Sequence, residues 1–331
     1  MLLFRSASDP RFGPDPSFDA ALDDHELAAA RDAAAAGDWQ PAREVVRAAH
    51  GDWERRVHRV EVLGEFAAED PDWLRAWLAA EPSGAEAAVV HAKAEVCRAW
   101  NARGGAWASQ TSADAFRAFA RILNDAEQAI DRAVHVAVDD PSPWITYLWL
   151  TIGRGEPWAL FEQRWTELVA RDPHNYLAHE ARFQHSCLKW AGSHELMYDF
   201  CYRAAAAAPP GSPLAVLPLQ AHFEWELKET ALNPTAGALK ATAMWAGEQV
   251  RRDIDTAVHQ WLAPGQPSHA LALKARSVLA RAMTKARRHA EAAEHFTAIG
   301  PYVSEYPWYY ENRGAERAFL EARKQAVRAA R

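Results

Sequence analysis

Hydrophobic and polar positions along this chain follow a helical period from Leu22 onward. The pattern pauses at Gly37-Asp38, resumes over Trp39 to Ala49, pauses at Gly51-Asp52, and continues from Trp53 to Ala68. Asp38 and Asp52 stand where an N-cap carboxylate accepts from the unpaired amides of the next turn. Asp70-Pro71-Asp72 opens a helix through Ala80, Ser83 opens one that reaches about Asn101, and a long helix runs from about Ser112 to Val138. Residues 1–20, with Pro10, Gly13, Pro14 and Pro16, lack the helical period and read as an extended lead-in. The segment from Gly104-Gly105 to Gln110 is the expected seam between a helical region at 21–105 and a second at 111–331, unless the two form one continuous domain.

Beyond that seam the breaks become regular. Pro141, Pro173 and Pro209 each end a helical stretch, and Gly153–Gly155 and Gly192-Ser193 break the intervals between them. A spacing near 34 residues with two helices per unit is the mark of a helix–turn–helix solenoid. Four windows carry the pattern: Gly37-Asp38-Trp39 with Ala42, Val46 and Ala49; Glu156-Pro157-Trp158 with Phe161, Trp165, Leu168 and Pro173; Gly192 with Met197, Cys201, Ala204 and Pro209; and Arg287-Arg288-His289 with Ala292, Phe296 and Ile299. They resemble the tetratricopeptide repeat, in the degenerate form found among uncharacterised bacterial helical-repeat proteins. The resemblance covers about 130 residues, leaves 52–138 and roughly 212–272 out of register, and puts Phe161 and Met197 where the family prefers alanine. It implies an all-α fold: a TPR-like α–α superhelix, or solenoid, of helical hairpins with additional non-repeat helices.

Composition agrees with helix. Alanine makes up about a fifth of the 331 residues, against six isoleucines, and alanine loses no side-chain entropy on entering a helix. A content of 49% hydrophobic and 11% aromatic residues argues against disorder, and the scarcity of β-branched runs argues against a β-sandwich. No apolar run is long enough to span a bilayer, and the start, Met1-Leu2-Leu3-Phe4-Arg5, lacks the regions of a secretory leader; a cytoplasmic protein without a membrane partner is expected. Net charge is −7, but residues 274–331 hold 12 bases against 6 acids. The pI near 6.1 is far from that of a dedicated nucleic-acid binder, so a nucleic-acid partner is not expected, and RNA binding through the basic C-terminal region stands as a second alternative.

Catalytic patterns fail on spacing. His25-Glu26, His179-Glu180 and His194-Glu195 lack the second histidine of a zinc-protease helix, since Ala29, Phe183 and Tyr198 occupy that place. His222-x-Glu224 has no Pro-Cys-x-x-Cys after it and reads as a helix-surface pair. His174, His179, His185, Cys187 and His194 are dense, yet His179 and His185 point about 240° apart around one helix. Cys97, Cys187 and Cys201 fit neither a disulfide framework nor a zinc site and read as buried thiols. No phosphate loop or nucleophile elbow is present, so neither a cofactor nor a metal is assigned.

The resemblance implies that the first helix of each hairpin lines a concave surface at repeat positions two, five, nine and twelve. Those positions fall on His179, Arg182, Ser186 and Lys189, with Trp190 adjacent; on Lys274, Ser277, Arg281 and Thr284; and on Asp24, Leu27, Arg31 and Ala34. The asparagines of the family's carboxylate clamp are absent. Two of the three sets are basic and hydrogen-bonding, which suits an acidic segment or a C-terminal carboxylate. The expectation is a non-enzymatic protein- or peptide-binding scaffold, of which a regulatory or immunity-type partner is one form. The alternative is an enzyme whose inter-helical pocket is lined by 174–194. The aromatic groups Trp144, Tyr147 and Trp149, and Tyr306, Trp308, Tyr309 and Tyr310, divide between core and exposed anchors.

Overall fold

The computed structural model describes residues 10–331 apart from 105–110, 191, 264, 266–268 and 312. Helix starts follow the available caps. Asp24 accepts from the Leu27 amide to open α1 (His25–Ala35), Asp52 from Arg55 to open α3 (Trp53–Glu69), and Ser112 from Ala115 to open α6 (Ala113–Val136). Asp38 binds the Gln40 amide, so Trp39 becomes the N-cap and α2 (Gln40–Ala48) begins one residue later than the sequence pattern suggests. The chain is all-α: sixteen α-helices and no β-strand occur among the described residues, apart from a lone bridge between Ser17 and Tyr302.

Two compact units share the chain, one formed by Asp24–His185 and the other by Met1–Asp23 together with Ser186–Arg331. The divisions therefore fall beside α1 and within the last turn of α9 (Tyr176–Ser186). The seam expected at Gly104–Gln110 lies outside the described residues from 105 onward.

In the Asp24–His185 unit, α1 and α2 form a hairpin, and α3 is followed by α4 (Asp72–Ala80), α5 (Ala85–Arg103) and α6. The longest interfaces set α5 against α3 and α6. A second hairpin pairs α7 (Ser142–Arg154) with α8 (Trp158–Val169) ahead of α9. Leu27, Leu63, Trp77, Leu123, Phe161, Tyr176 and Phe183 fill its interior. Trp73 and Trp77, one turn apart, are buried in a stack that runs from Phe66 to Trp39. Charge is buried here too: Arg56 pairs with Asp140 at 2.5 Å and Arg59 with Asp24 at 2.8 Å, all four side chains under a tenth exposed. The same arginines donate at 2.7 Å to the carbonyls of Val46 and Val45 in the last turn of α2.

The other unit contains α10 (His194–Ala207), α11 (Leu217–Leu232), α12 (Pro234–Ala246), α13 (Glu248–Ala257), α14 (Ala272–Lys285), α15 (His289–Ile299) and α16 (Ala315–Ala329). Helix α11 touches α10, α12, α13 and α14, and its first eight residues, Leu217 to Glu224, are all buried. Gly237 lets α12 cross it closely, since a Cβ there would stand 2.3 Å from the Glu229 carbonyl oxygen. Segment 10–23 is held by Ser17, whose amide donates to Pro301 and whose carbonyl accepts from Val303. Trp308, fully buried, packs against Phe296 and Phe319.

Three of the repeat windows fall on paired helices, α1 with α2, α7 with α8 and α14 with α15, and the fourth falls on α10. Their small and aromatic positions are buried in every copy except at Trp165, which is half-buried.

Candidate functional site

The positions expected on an open concave surface are largely packed. On α9, His179 is 5% exposed, makes a 2.8 Å hydrogen bond between Nδ1 and the Asn175 carbonyl, and meets Trp165 edge-on. Arg182 lies over the Phe161 and Trp165 rings and pairs with Glu162 at 2.6 Å. Ser186 is buried. His185 stacks on Phe161 and against Trp158, and burial pushes both His179 and His185 down to about 4, so they are neutral at pH 7. In the α1 set, Asp24 serves Arg59, Leu27 and Ala34 are core, and Arg31 is half-buried. In the α14 set, Ser277 and Arg281 are buried, while Lys274 and Thr284 are half-buried. The packing comes from neighbouring elements: α8 covers His179 and Arg182, Arg59 of α3 holds Asp24, and Trp308 and Glu311 meet Arg281.

Two of the expected residues nevertheless arrive in one network. Helix α11 supplies its centre, with His222, Glu224 and Glu226 at two-residue steps, so that His222 and Glu226 share a face and Glu224 points to the other side. Lys189 Nζ binds the Glu224 carboxylate at 2.7 Å, and Glu224 also accepts from the Tyr310 hydroxyl. The adjacent residue, Glu311, pairs with Arg281, whose guanidinium lies 5.6 Å from the Trp308 ring centre. Lys285 joins the two halves, 2.5 Å from Glu226 and 3.6 Å from Glu311, while the Trp245 indole donates to Glu226 at 2.9 Å. Trp190, next to Lys189, is half-buried.

On the His222 face, the imidazole bridges Tyr198 (Nδ1 to hydroxyl, 2.8 Å) and Asp253 (Nε2 to carboxylate, 2.8 Å). Asp253 also accepts from the Tyr202 hydroxyl at 2.8 Å and from Gln249 at 2.8 Å. Burial, with the Tyr202 hydroxyl and the Asp253 charge nearby, holds the Tyr198 phenol well above its ordinary range. The Tyr198 hydroxyl and the Asp253 carboxylate thus hold the imidazole from its two ring nitrogens. His222 and Glu224, which the sequence pattern places as a helix-surface pair, are 3% and 4% exposed. Sequence reading missed them because nothing in a one-dimensional pattern shows α11 surrounded; the available signal was their place within the apolar stretch that begins at Leu217.

Burial lowers Lys285 against the pull of Glu226, and brings Arg281 down to about 10. Burial and the Glu224 charge raise the Tyr310 phenol. The thiols of Cys187 and Cys201 are raised by burial and that of Cys97 is pushed up to about 12, so none is a ready nucleophile, and no disulfide joins them. Of the aromatic clusters, Trp308 and Tyr147 are core, Trp144, Trp149, Tyr306 and Tyr310 are half-buried, and Tyr309 is 49% exposed. No helix is long and apolar enough to cross a membrane among the described residues. Neither a protein-family model, nor a curated protein, nor a solved structure matches this chain.

Proposed function

We propose that the chain is a non-enzymatic helical-repeat scaffold, a TPR-like α–α superhelix, that binds an acidic protein or peptide segment through cations on the first helices of its hairpins. The carrying observation is the convergence on Tyr310-Glu311. Lys189, just after α9, and Arg281, on α14, are distant in sequence, and both reach this pair, Lys189 through the Glu224 that accepts from Tyr310 and Arg281 through Glu311. A carboxylate between an ammonium and a guanidinium, beside a phenol, is the recognition chemistry an acidic peptide would exploit. Repeat architectures present such cations at regular intervals and are used chiefly for binding. A regulatory or immunity-type partner belongs to the same reading.

The test is an array of acidic and aromatic–acidic peptides probed with the full chain, followed by anisotropy titration of the best binder. Lys189→Glu and Arg182→Glu each invert a partly exposed cation and should each weaken binding at least tenfold. Far-ultraviolet circular dichroism and the melting temperature would verify that both variants fold. An array without saturable binders, or affinities unchanged in both variants, would refute the scaffold reading.

A further inference from the structure

Four cations surround one aromatic ring beside the end of α16. From the centre of the Phe12 ring, Lys324 Nζ lies at 5.4 Å, the Arg328 guanidinium at 5.5 Å, and those of Arg11 and Arg331 at 5.9 Å. Lys324 and Arg328, four residues apart, share a face of α16, and Arg331 lies just past its C-cap, Ala330. All four cations are exposed, and no ion pair joins Lys324, Arg328 or Arg331 to a carboxylate among the described residues. Glu321, the nearest acid before them on α16, is already held by Arg313 and Arg317.

A fifth positive charge lies beneath. Arg323 is 2% exposed, and its Nε and both Nη atoms have no hydrogen-bond partner among the described residues. Its guanidinium presses on the backbone next to Phe12, since a Cβ at Gly13 would stand 3.3 Å from Nη1. Asp15 is the carboxylate whose charge reaches it, without a hydrogen bond. The dipole of α16 favours cations in its last turn, which accounts for Arg328 but not for a buried, unpartnered guanidinium or for Arg11 arriving from the lead-in. Charges this close repel within a Debye length, and an anion seated among them removes the repulsion.

We propose that Arg11, Phe12, Lys324, Arg328 and Arg331, with Arg323 beneath, form a binding site for single-stranded nucleic acid. The exposed cations take successive phosphates, three of the four as guanidinium groups able to grip phosphate with two donors. Their contacts with the ring, and the 3.2 Å hydrogen bond from Arg331 to the Arg11 carbonyl, give way as the side chains turn to the phosphates, which frees Phe12 to stack on a base. Arg323 adds to the potential from below. An acidic peptide would satisfy the cations but has no planar base for the ring. The overall pI does not speak against such a site, because the excess of bases lies within residues 274–331, and Arg323, Lys324 and Arg328 of that segment stand together on α16.

The full chain would be titrated into a fluorescein-labelled 15-nucleotide oligouridylate, read by anisotropy at 50 and 200 mM salt. Four phosphate contacts on a single strand predict a slope of about −3 in log affinity against log salt, a loss of roughly 50-fold over that range. The doubly charge-reversed Lys324→Glu/Arg328→Glu should bind at least tenfold more weakly with an unchanged melting temperature, since both side chains are exposed. Phe12→Ala should lose several-fold or more in affinity while keeping the salt slope. Absence of saturable binding at 50 mM salt, or wild-type affinity in either variant, would overturn the proposal. Polyglutamate competing as well as unlabelled oligouridylate would reassign the site to acidic peptides. None of these residues belongs to the Lys189–Arg281 network, so this test and that of the scaffold reading succeed or fail separately.

Discussion

Replacing Arg323 by methionine should stabilise the protein, although it removes a charged residue from a tightly packed place. The side chain is 2% exposed, and all three guanidinium nitrogens lack a hydrogen bond among the described residues. A buried polar group left unsatisfied costs about 1–3 kcal/mol, and more when charged. Two effects oppose the gain: the guanidinium lies 5.2 Å from the Phe319 ring centre, worth about 0.5–1 kcal/mol, and the charge of Asp15 reaches it. Methionine keeps most of the stem's packing against Gly13 and Phe319 while removing the charge, and buried charge has been exchangeable for apolar side chains with gains of about 1–4 kcal/mol. The net expectation is a gain of about 1–3 kcal/mol. For a cooperative unit of this size, each kcal/mol moves the melting temperature by about 2–4 °C. Scanning calorimetry and urea denaturation of wild type, Arg323→Met and Arg323→Lys would measure it, with the lysine variant retaining the buried charge and gaining nothing. Destabilisation of Arg323→Met by 1 kcal/mol or more would refute the reasoning, because it would mean that the guanidinium is satisfied in solution. The same variant should bind oligouridylate more weakly, so that stability and binding move in opposite directions.

Removing one partner of the buried Arg56–Asp140 pair, as in Asp140→Ala, should cost about 3–5 kcal/mol, while Arg56→Met/Asp140→Leu should recover most of the loss; denaturant midpoints would report both. Gly237→Ala should destabilise by about 1–3 kcal/mol, because the new methyl meets the Glu229 carbonyl oxygen at 2.3 Å; a melting temperature equal to wild type would show that α11 and α12 part without cost. His179, His185 and His295 are each held down to about 4 by burial, against an ordinary 6.5. Between those values the unfolded chain binds protons that the folded chain does not. Stability is therefore full above about pH 6.5 and falls as the pH drops toward 4, by about 1 kcal/mol per pH unit for each histidine. Urea midpoints at pH 7.0, 6.0 and 5.0 would follow the fall, and His185→Phe, which keeps the stack on Phe161, should make it shallower; a flat profile in wild type would show that the imidazoles are solvated.

Local chemistry made much of the secondary structure readable before any coordinates. Asp52, Ser112 and Ser193 are caps whose side-chain oxygens reach only a few residues ahead, so short-range geometry suffices to place α3, α6 and α10. The hairpin turns at Gly37, Gly155 and Arg287, where the backbone takes a positive φ, and the burial of Ala42, Val46, Ala292 and Phe296, follow from the same period and punctuation. The candidate site was legible only in part. Lys189 and Arg281 could be marked by their repeat positions, but their partners Glu224 and Glu311 lie 35 and 30 residues further on, beyond any local rule.

The sequence by itself determined that the chain is helical, roughly where each helix starts and stops, and which stripe of each is apolar, because these depend on backbone propensity and on contacts three or four residues apart. Only the tertiary structure decided which polar residues are buried. His222 and Glu224 look like surface groups on an isolated helix and become interior when α10, α12, α13 and α14 close around α11. Arg323 looks like any other basic residue of α16 until the Gly13 backbone is laid across it. Whether a charge is solvated depends on what other segments cover it, and that is fixed by long-range packing, which a periodicity along the chain does not encode.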